Sequence, residues 1–236
     1  MIKIEVWSDY VCPFCYIGKR ELEKAIKETG LSGQVDVQFK AYELDPTTSL
    51  TDDQPVKESL MKKKGMNDQQ VEEMFSAVTE RAQSVGLTYD FSKMINANTK
   101  KAHRLAKFAE EKGKGPEIDE ALLAAHFSDN RALNEDTVLL DVAEQVGLSR
   151  EEAQAVLSSD RYADAVSQDI QEAQAIGVQG VPFFVLERKY AISGAQPQEL
   201  FQQTLQTVAD ELGIKPSLQI LGDTNTGICE DGSCSI

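Results

Sequence analysis

A pair of cysteines stands where a strand pattern changes into a helix pattern, and this junction restricts the fold more than any other feature of the sequence. Apolar residues alternate with others over residues 2–7, which predicts a strand. From Pro13 onward apolar residues recur at spacings of three and four, and proline suits the first position of a helix. Cys12 and Cys15 therefore lie at the start of a predicted helix that closely follows a strand.

The position of Cys12 favours redox chemistry. A thiol attacks a disulfide only as the thiolate, and a helix N-terminus stabilises that charge with its backbone N–H groups and its dipole. Cys15 lies one turn later on the apolar face, so we expect it to be the more buried, resolving thiol. A CxxC pair is also half of a zinc site, and cysteines can be small core residues. The pair alone leaves these alternatives open, with redox chemistry favoured near a β-α-β pattern.

The pattern changes twice along the rest of the chain. A second strand is predicted over residues 35–39, which completes β-α-β. Residues 56–162 then show helix patterns with start and stop signals, and only Leu87-Thr-Tyr89 carries a short strand pattern within them. Two strands return within residues 181–192, and a last helix is predicted over residues 197–212.

These patterns predict an α/β fold with a large insertion. Residues 1–55 and 160–213 form one discontinuous α/β domain, residues 56–159 form an inserted all-helical domain, and residues 214–236 form a flexible tail that contains the other two cysteines. The chain has 236 residues, of which 41% are hydrophobic, and this is enough to fill a core of that size.

Charge and hydropathy restrict the location and the partners. With 24 Lys and Arg against 39 Asp and Glu, the net charge of -15 repels nucleic acid and anionic lipid, and no long basic run offsets it. Charges at Lys3, Glu5 and Asp9 leave no apolar signal-peptide core, and no apolar stretch is long enough to span a membrane. We therefore expect a cytoplasmic protein that binds neither nucleic acid nor membrane. Structural disulfides are rare in a reducing cytosol, so the four cysteines are more consistent with redox or metal chemistry.

Four motifs in a fixed order carry a family resemblance. They are Trp7-Ser-Asp-Tyr-Val-Cys-Pro-Phe-Cys-Tyr-Ile-Gly18, Asn98-Thr-Lys-Lys-Ala-His103-Arg, Gly180-Val-Pro-Phe-Phe184 and Ile192-Ser-Gly-Ala-Gln-Pro197. With these motifs, nearly the whole chain resembles the DsbA-like thioredoxin superfamily, and specifically its FrnE-type branch. The resemblance implies a thioredoxin fold interrupted by a helical domain. It also implies a thiol–disulfide oxidoreductase that needs no cofactor, for which glutathione is a candidate electron donor, and whose substrates are disulfide-containing or misfolded proteins.

The same resemblance assigns roles to individual residues. It implies Cys12 as the nucleophile, Cys15 as the resolving thiol and Pro182 as a cis-proline beside them. The candidate substrate-groove residues are Phe14, Val181, Asn98 and His103. Periplasmic DsbA proteins commonly have histidine where this chain has Phe14, which adds no positive charge to stabilise a thiolate at Cys12. We therefore expect a weaker oxidant, acting as a disulfide reductase or isomerase.

A second cysteine pair matches another feature of the FrnE-type branch. Cys229 and Cys234 form a CxxxxC, and the resemblance implies that this pair exchanges electrons with the CxxC. The acidic neighbours Glu230 and Asp231 disfavour thiolates, so we expect the disulfide of this pair to be the harder one to reduce and its electrons to pass to the CxxC. In the alternative interpretation, the tail thiols have no role.

Two other functions stay open at this stage. The first is a non-catalytic module that senses redox state or binds zinc through the four cysteines. The second is a glutathione-dependent isomerase of a small aromatic substrate, because isomerases of the 2-hydroxychromene-2-carboxylate type share the fold. Those relatives typically have serine at the first motif position, and cysteine at both Cys12 and Cys15 argues against their chemistry.

Overall fold

The order of secondary-structure elements is β-α-β, then helices, then α-β-β-α. The computed structural model describes residues 1–217 and, beyond them, only the backbone of two short strands. The elements are β1 (Ile2–Ser8), α1 (Pro13–Glu28), β2 (Val35–Ala41), α2 (Val56–Lys64), α3 (Asp68–Ser84), α4 (Lys100–Glu111), α5 (Gly115–Phe127), α6 (Asp136–Gln145), α7 (Arg150–Leu157), α8 (Ala163–Ala175), β3 (Phe183–Leu186), β4 (Tyr190–Ser193), α9 (Gln198–Leu212), β5 (Cys229–Glu230) and β6 (Ser233–Cys234).

The main sheet has four strands in the order β2-β1-β3-β4. β1 pairs in parallel with β2, and antiparallel with β3, where Val6 lies opposite Phe184. Because β1 is central, it is covered on both sides: Ile4 packs in a buried cluster with residues of α1 and α9, whereas Trp7 packs in a second cluster with Ala173 of α8. The sheet thus holds the end of β1, and the loop that leads to Cys12, in a fixed position between two layers of helices.

The helices α2 to α7 share a core with one side of α1. The largest buried cluster combines Tyr16 and Ile17 of α1 with residues of the helical block such as Phe108 and Leu122. Polar contacts join the same elements, since the Tyr16 hydroxyl donates a 2.6 Å hydrogen bond to Glu120 of α5. The beginning of α1 is therefore packed against the sheet-forming segments and against the helical block at once. The division of the chain into separate domains stays a prediction.

The structure confirms an α/β fold and the predicted elements, with ends that differ by less than one helical turn. Helix α8 begins only at Ala163, because Tyr162 before it adopts a left-handed backbone conformation with φ of 64°. The strand pattern at Leu87-Thr-Tyr89 was misleading, since this segment is a loop. Its alternation arises because Leu87 and Tyr89 are buried in the helical core, and not from pairing with a strand.

Beyond residue 217 only backbone pairing is described. Strands β5 and β6 pair antiparallel, with Cys229 opposite Cys234. The side chains of this pair, and the flexibility predicted for the tail, lie outside the described residues. Of the helices in the described part of the chain, none combines the length and the apolar character needed to cross a membrane.

Candidate active site

Cys12 is the residue that caps the N-terminus of α1. It has an extended backbone, with φ of -92° and ψ of 112°, and Pro13 is the first residue of the helix. The Cys15 amide donates a 3.0 Å hydrogen bond to the Cys12 carbonyl, so the two cysteines lie one helical turn apart. Both carry free thiols. This is the geometry in which the backbone N–H groups of the first turn can stabilise a thiolate at Cys12.

A cis peptide bond lies against the Cys12 thiol. The Val181–Pro182 bond is cis, as the family resemblance implies. The Cys12 Sγ atom lies 3.5 Å from the Val181 carbonyl oxygen and donates to it. The start of β3 is thereby brought next to the start of α1, although the two segments are far apart in sequence. The role of Pro182 in disulfide exchange stays a prediction.

Gly18 allows this close approach of α1 to Pro182. A Cβ atom at position 18 would lie 3.1 Å from Pro182 Cγ and 3.0 Å from Phe184 Cζ. The proline ring cannot rotate away, and Phe184 is fully buried with its ring packed edge-on against Phe201 at 4.8 Å. Glycine is therefore required at position 18, because any larger side chain would press against Pro182 and Phe184.

We expect Gly18→Ala to displace Pro182 from the thiol of Cys12. Overpacking costs about 1–3 kcal/mol, against about 1 kcal/mol gained in helix propensity, so the free energy of unfolding should fall by roughly 1 kcal/mol. The rate of disulfide reduction should fall as well. Urea unfolding and a turnover assay measure the two effects. Gly115→Ala is the matched control, because a Cβ at this other helical glycine meets its neighbours only at 3.7 Å or more. Equal stability and turnover for Gly18→Ala and the wild type would contradict the steric role.

The two thiols are both buried, but only one of them lines the groove. Cys12 is 4% exposed and Cys15 is 1% exposed, so the expected contrast in burial is small. However, Cys12 lines an open groove and Cys15 does not. Burial raises the pKa of Cys15 well above its ordinary value, and its interactions with Cys12 add to this effect. An incoming disulfide therefore meets Cys12 first, while Cys15 is held as a protonated thiol behind it.

The groove beside Cys12 is a largely apolar cavity of about 450 Å³. It lies between the CxxC loop and the helical block, and Phe14 and Val181 line it, as expected for substrate-groove residues. Phe14 is 42% exposed, an unusual degree for a large apolar side chain next to a buried pair of thiols. Apolar side chains of the helical block line much of the cavity: Val56, Leu60, Met74, Phe75, Val78 and Met94. The charged residues Asp45, Lys63 and Lys64 also line it. A cavity of this size and character suits apolar side chains of a polypeptide.

Asn98 and His103, the two other candidates for the groove, are placed elsewhere. Within the described part of the chain neither is among the residues that line the groove. The Asn98 side chain donates to the Thr48 carbonyl at 2.8 Å and accepts from the Lys100 amide at 2.9 Å. It thus joins the loop before α2 to the start of α4. His103 lines a separate, smaller cavity of about 200 Å³.

Sequence reasoning missed Asp9 as a member of the site. Its backbone amide donates to the Cys15 Sγ atom at 3.5 Å. One carboxylate oxygen accepts a 2.7 Å hydrogen bond from the Leu44 amide, and the other lies 3.4 Å from His103 Nε2. This buried acid therefore holds the loop after β2 and the His103 ring against the CxxC loop. The signal in the sequence was a lone carboxylate between an apolar strand and the CxxC.

A second buried acid lies close to the same loop. The Tyr10 hydroxyl donates a 2.6 Å hydrogen bond to Asp119 of α5. Burial raises the pKa of the Asp119 carboxyl to about 6, and the hydrogen bond from Tyr10 and the charge of Lys19 only partly offset that effect. The Tyr89 hydroxyl also fixes this loop, because it donates a 2.9 Å hydrogen bond to the Pro13 carbonyl. Side chains of the helical block thus fix the loop on both sides of Cys12.

Ligand groups for a metal do not converge in the described part of the chain. Over residues 1–217, no three or more His, Cys, Asp or Glu side chains are placed to hold one ion. The predicted alternative of a zinc site that uses all four cysteines depends on side chains outside the described residues.

Three comparisons with known proteins give matches. The family model of the DSBA-like thioredoxin domain matches residues 3–206. The crystal structure of a probable DsbA oxidoreductase from Streptomyces coelicolor is 35% identical, with a TM-score of 0.85 over 100% of this chain and 99% of that chain. The uncharacterized protein YwbO of Bacillus subtilis (strain 168) is 28% identical over 207 residues, which cover 86% of this chain and 96% of YwbO.

A fourth match bears on the fold alone. The cytosolic disulfide reductase DsbM from Pseudomonas aeruginosa, solved with GSH, is 19% identical, with a TM-score of 0.63 over 88% of this chain and 99% of that chain. Identity this low shows a common fold and no more. The family model, however, covers most of this chain, and the Streptomyces coelicolor structure matches it from end to end. The chain therefore belongs to the DsbA-like family of thiol–disulfide oxidoreductases.

Proposed function

We propose that this protein reduces or isomerises disulfides in other proteins, with Cys12 as the nucleophile. The observation that carries the proposal is the placement of the Cys12 thiol at the N-terminus of α1, beside the cis-proline and at the edge of an apolar groove. The position at the helix N-terminus favours a reactive thiol, and the apolar groove favours polypeptide over a small polar substrate. Disulfide-containing or misfolded proteins are therefore the proposed substrates.

The exchange proceeds in two steps. The Cys12 thiolate attacks one sulfur of the substrate disulfide, which forms a mixed disulfide and releases the other substrate sulfur as a thiolate. Cys15 then loses its proton and attacks the Cys12 sulfur, which releases the second substrate thiolate and leaves a Cys12–Cys15 disulfide. Two electrons have passed to the substrate. In isomerisation, a substrate thiol attacks the mixed disulfide before Cys15 does, and the protein is released unchanged.

Reduction rather than oxidation is the proposed direction in the cell. Phe14, between the two cysteines, contributes no positive charge that would stabilise the reduced form of the pair. A cytoplasmic location is consistent with this direction, and DsbM, a cytosolic disulfide reductase by its printed description, has the same fold. We propose glutathione as the electron donor that returns the Cys12–Cys15 disulfide to the dithiol, with no other cofactor.

A graded glutathione series tests the proposed chemistry directly. The protein is equilibrated across the series, quenched with an alkylating reagent and mapped by mass at each cysteine. We expect Cys12 and Cys15 to titrate together as one two-electron couple. If both thiols stay alkylatable at every ratio, the oxidoreductase proposal is wrong. If they are instead protected until a chelator is added, a metal-binding module replaces it.

The same titration tests the tail pair. We propose that Cys229 and Cys234 pass electrons to the CxxC, because the neighbouring acids make their disulfide harder to reduce. We expect the tail couple to titrate at a more negative potential than Cys12–Cys15. The double variant Cys229→Ser/Cys234→Ser is the control, and its CxxC couple should keep the wild-type potential. A tail couple that is more oxidising than the CxxC would rule out this direction of electron transfer.

A further inference from the structure

The groove beside the reactive thiol has one lysine whose charge is not neutralised. The Asp, Glu, Lys and Arg residues that line the groove are Asp9, Asp45, Lys63 and Lys64. Asp9 is only 1% exposed, and Asp45 pairs with Lys63 at 2.6 Å. Lys64 is exposed and, among residues 1–217, has no ion-pair partner. The accessible charge that remains at this largely apolar groove is therefore positive.

The C-terminal tail has the opposite charge. Residues 216–236 contain three acids and no Lys, Arg or His. On a chain with a net charge of -15, most of the surface repels such a segment. Lys62, Lys63 and Lys64 are the only three consecutive basic residues in the sequence, and they end α2 at the groove. The end of α2 is therefore a place on this acidic protein that attracts the tail.

The order of residues in the tail matches the features of the groove. Ile228 precedes Cys229, and the acids Glu230 and Asp231 follow it. The groove offers an apolar wall, the Cys12 thiol and a free lysine in the same cavity. An isoleucine gains free energy by leaving water for an apolar wall, and a carboxylate makes its strongest hydrogen bonds with a charged donor. An apolar residue, a thiol and two acids in succession are thus complementary to the groove.

The tail is long enough to reach the groove of its own molecule. The Ser217 amide donates a 2.8 Å hydrogen bond to the carbonyl of Gly30, which fixes the start of the tail just beyond the C-terminal end of α1. Cys12 caps the other end of this helix, about 27 Å away at the rise of an α-helix. Residues 218–228 can extend over about 40 Å before Cys229. The difference leaves about 13 Å for a path around the surface.

We propose that the groove beside Cys12 is the docking site of this protein's own C-terminal hairpin, with Cys229 at Cys12, the preceding isoleucine against the apolar wall and the two following acids at Lys64. The hairpin is the antiparallel pair β5 and β6, in which Cys229 lies opposite Cys234. This inference rests on the proposed function, because it names the site at which the tail pair meets the CxxC. Substrate proteins and the tail then occupy the same groove in turn.

The docked tail transfers two electrons to an oxidised CxxC. The Cys229 thiol loses its proton and attacks Cys12, which forms a Cys12–Cys229 bond and releases Cys15 as a thiolate. Cys234 then loses its proton and attacks the Cys229 sulfur, which releases Cys12 as a thiolate. The tail is oxidised to a disulfide, the CxxC is reduced, and the two protons lost by the tail balance those gained by the CxxC. Because the tail is tethered, the exchange does not depend on protein concentration.

A full-length variant that keeps one cysteine of each pair measures the docking. Cys15→Ser/Cys234→Ser is equilibrated with reduced and oxidised glutathione, and mass spectrometry quantifies Cys12–Cys229 disulfide against Cys12–glutathione. The ratio gives the effective concentration of the Cys229 thiol at Cys12. Tethering alone gives about 1 mM, and we expect docking to raise this value about tenfold. Mass also separates a disulfide within one chain from a disulfide-linked dimer.

Charge variants of the same protein separate docking from tethering. We expect Lys62→Glu/Lys64→Glu to lower the effective concentration about tenfold, to the tethered value. About 0.5 M salt should produce most of this loss without any substitution. Lys112→Glu/Lys114→Glu is the matched control, because it makes the same charge change at the same spacing between α4 and α5, outside the described residues that line the groove. The control should keep the higher value.

A charge exchange across the contact completes the test. Glu230→Lys/Asp231→Lys should lower the effective concentration by itself, and in combination with Lys62→Glu/Lys64→Glu it should restore most of the loss. An effective concentration that is the same with and without the α2 substitutions overturns the inference. An equal loss in the Lys112→Glu/Lys114→Glu control does so as well, since net charge would then be the cause.

The remaining outcomes separate this inference from the proposed function. A disulfide found mainly in linked dimers overturns the inference, because the tail would then dock on a second copy of the chain. If Cys12 and Cys15 titrate as a couple in the wild-type glutathione series while the tail shows only the tethered value, the inference fails and the reductase function stands. If the CxxC never oxidises in that series, the proposed function fails whatever the tail does.

Discussion

Cys12→Ser is expected to lower the rate of protein-disulfide reduction by at least about 10³-fold, as for loss of an enzyme's attacking group. Serine is similar in size, but its hydroxyl is not ionised at neutral pH and does not form the mixed disulfide. The substitution leaves the capping position of α1 intact, so the fold should be retained. A turbidity assay of insulin reduction with excess glutathione measures the effect.

Cys15→Ser should behave differently from Cys12→Ser. The attacking thiol at the groove is kept, so the first step still occurs, but no neighbouring thiol resolves the mixed disulfide. We expect a covalent adduct between Cys12 and the substrate, visible by mass under non-reducing conditions. The two variants are matched controls for each other, since each removes one thiol from the same buried pair. Adducts formed at Cys15 in the Cys12→Ser protein, or wild-type turnover in that variant, would contradict the assignment of roles.

The second large effect concerns the pH dependence of stability and arises from Asp119. In the unfolded chain this carboxyl has an ordinary pKa of 3.8, whereas burial raises the folded pKa to about 6. Between about pH 4 and pH 6, the folded protein therefore keeps a proton that the unfolded chain releases, so the contribution of Asp119 to stability falls as pH rises. Above about pH 6, the ionised Asp119 carboxyl therefore lowers the free energy of unfolding by about 3 kcal/mol relative to acid pH.

Asp119→Asn should remove this dependence. The asparagine oxygen can still accept the hydrogen bond from Tyr10, but it has no charge to bury. We expect the free energy of unfolding, measured by urea at pH 4, 5, 6 and 7, to decline less steeply with pH than in the wild type. Glu151→Gln is the control, because it removes an exposed carboxylate from α7. Parallel curves for the wild type and Asp119→Asn would show that the buried carboxyl does not titrate in this range.

Local sequence patterns were sufficient for the secondary structure and for the reactive pair. The alternation in β1 and the helical spacing after Pro13 are properties of neighbouring residues, and so is the placement of Cys12 at a helix start. The resemblance added the cis geometry at Pro182, which spacing alone would not predict. Local patterns misled where burial had another cause, as at Leu87 and Tyr89, whose alternation reflects contacts with helices.

Long-range contacts decided which side chains surround the thiols. Asn98 and His103 belong to one of the motifs that carry the family resemblance. Their hydrogen bonds nevertheless go to the loop before α2 and to the loop after β2, and neither residue lines the groove. Asp9 carries no marked signal in the sequence, and its contact with the Leu44 amide exists only because the loop after β2 folds against the CxxC loop.

By itself, the sequence determined a pair of cysteines at the start of a helix, the order of strands and helices, and a net charge of -15. These depend on spacing and composition, which act locally or on the whole surface. The tertiary structure alone decided that Cys12 lines a groove while Cys15 does not, and that Gly18 must lack a side chain. These depend on packing between distant segments, because burial, steric contact and hydrogen-bond satisfaction are defined only once those segments meet.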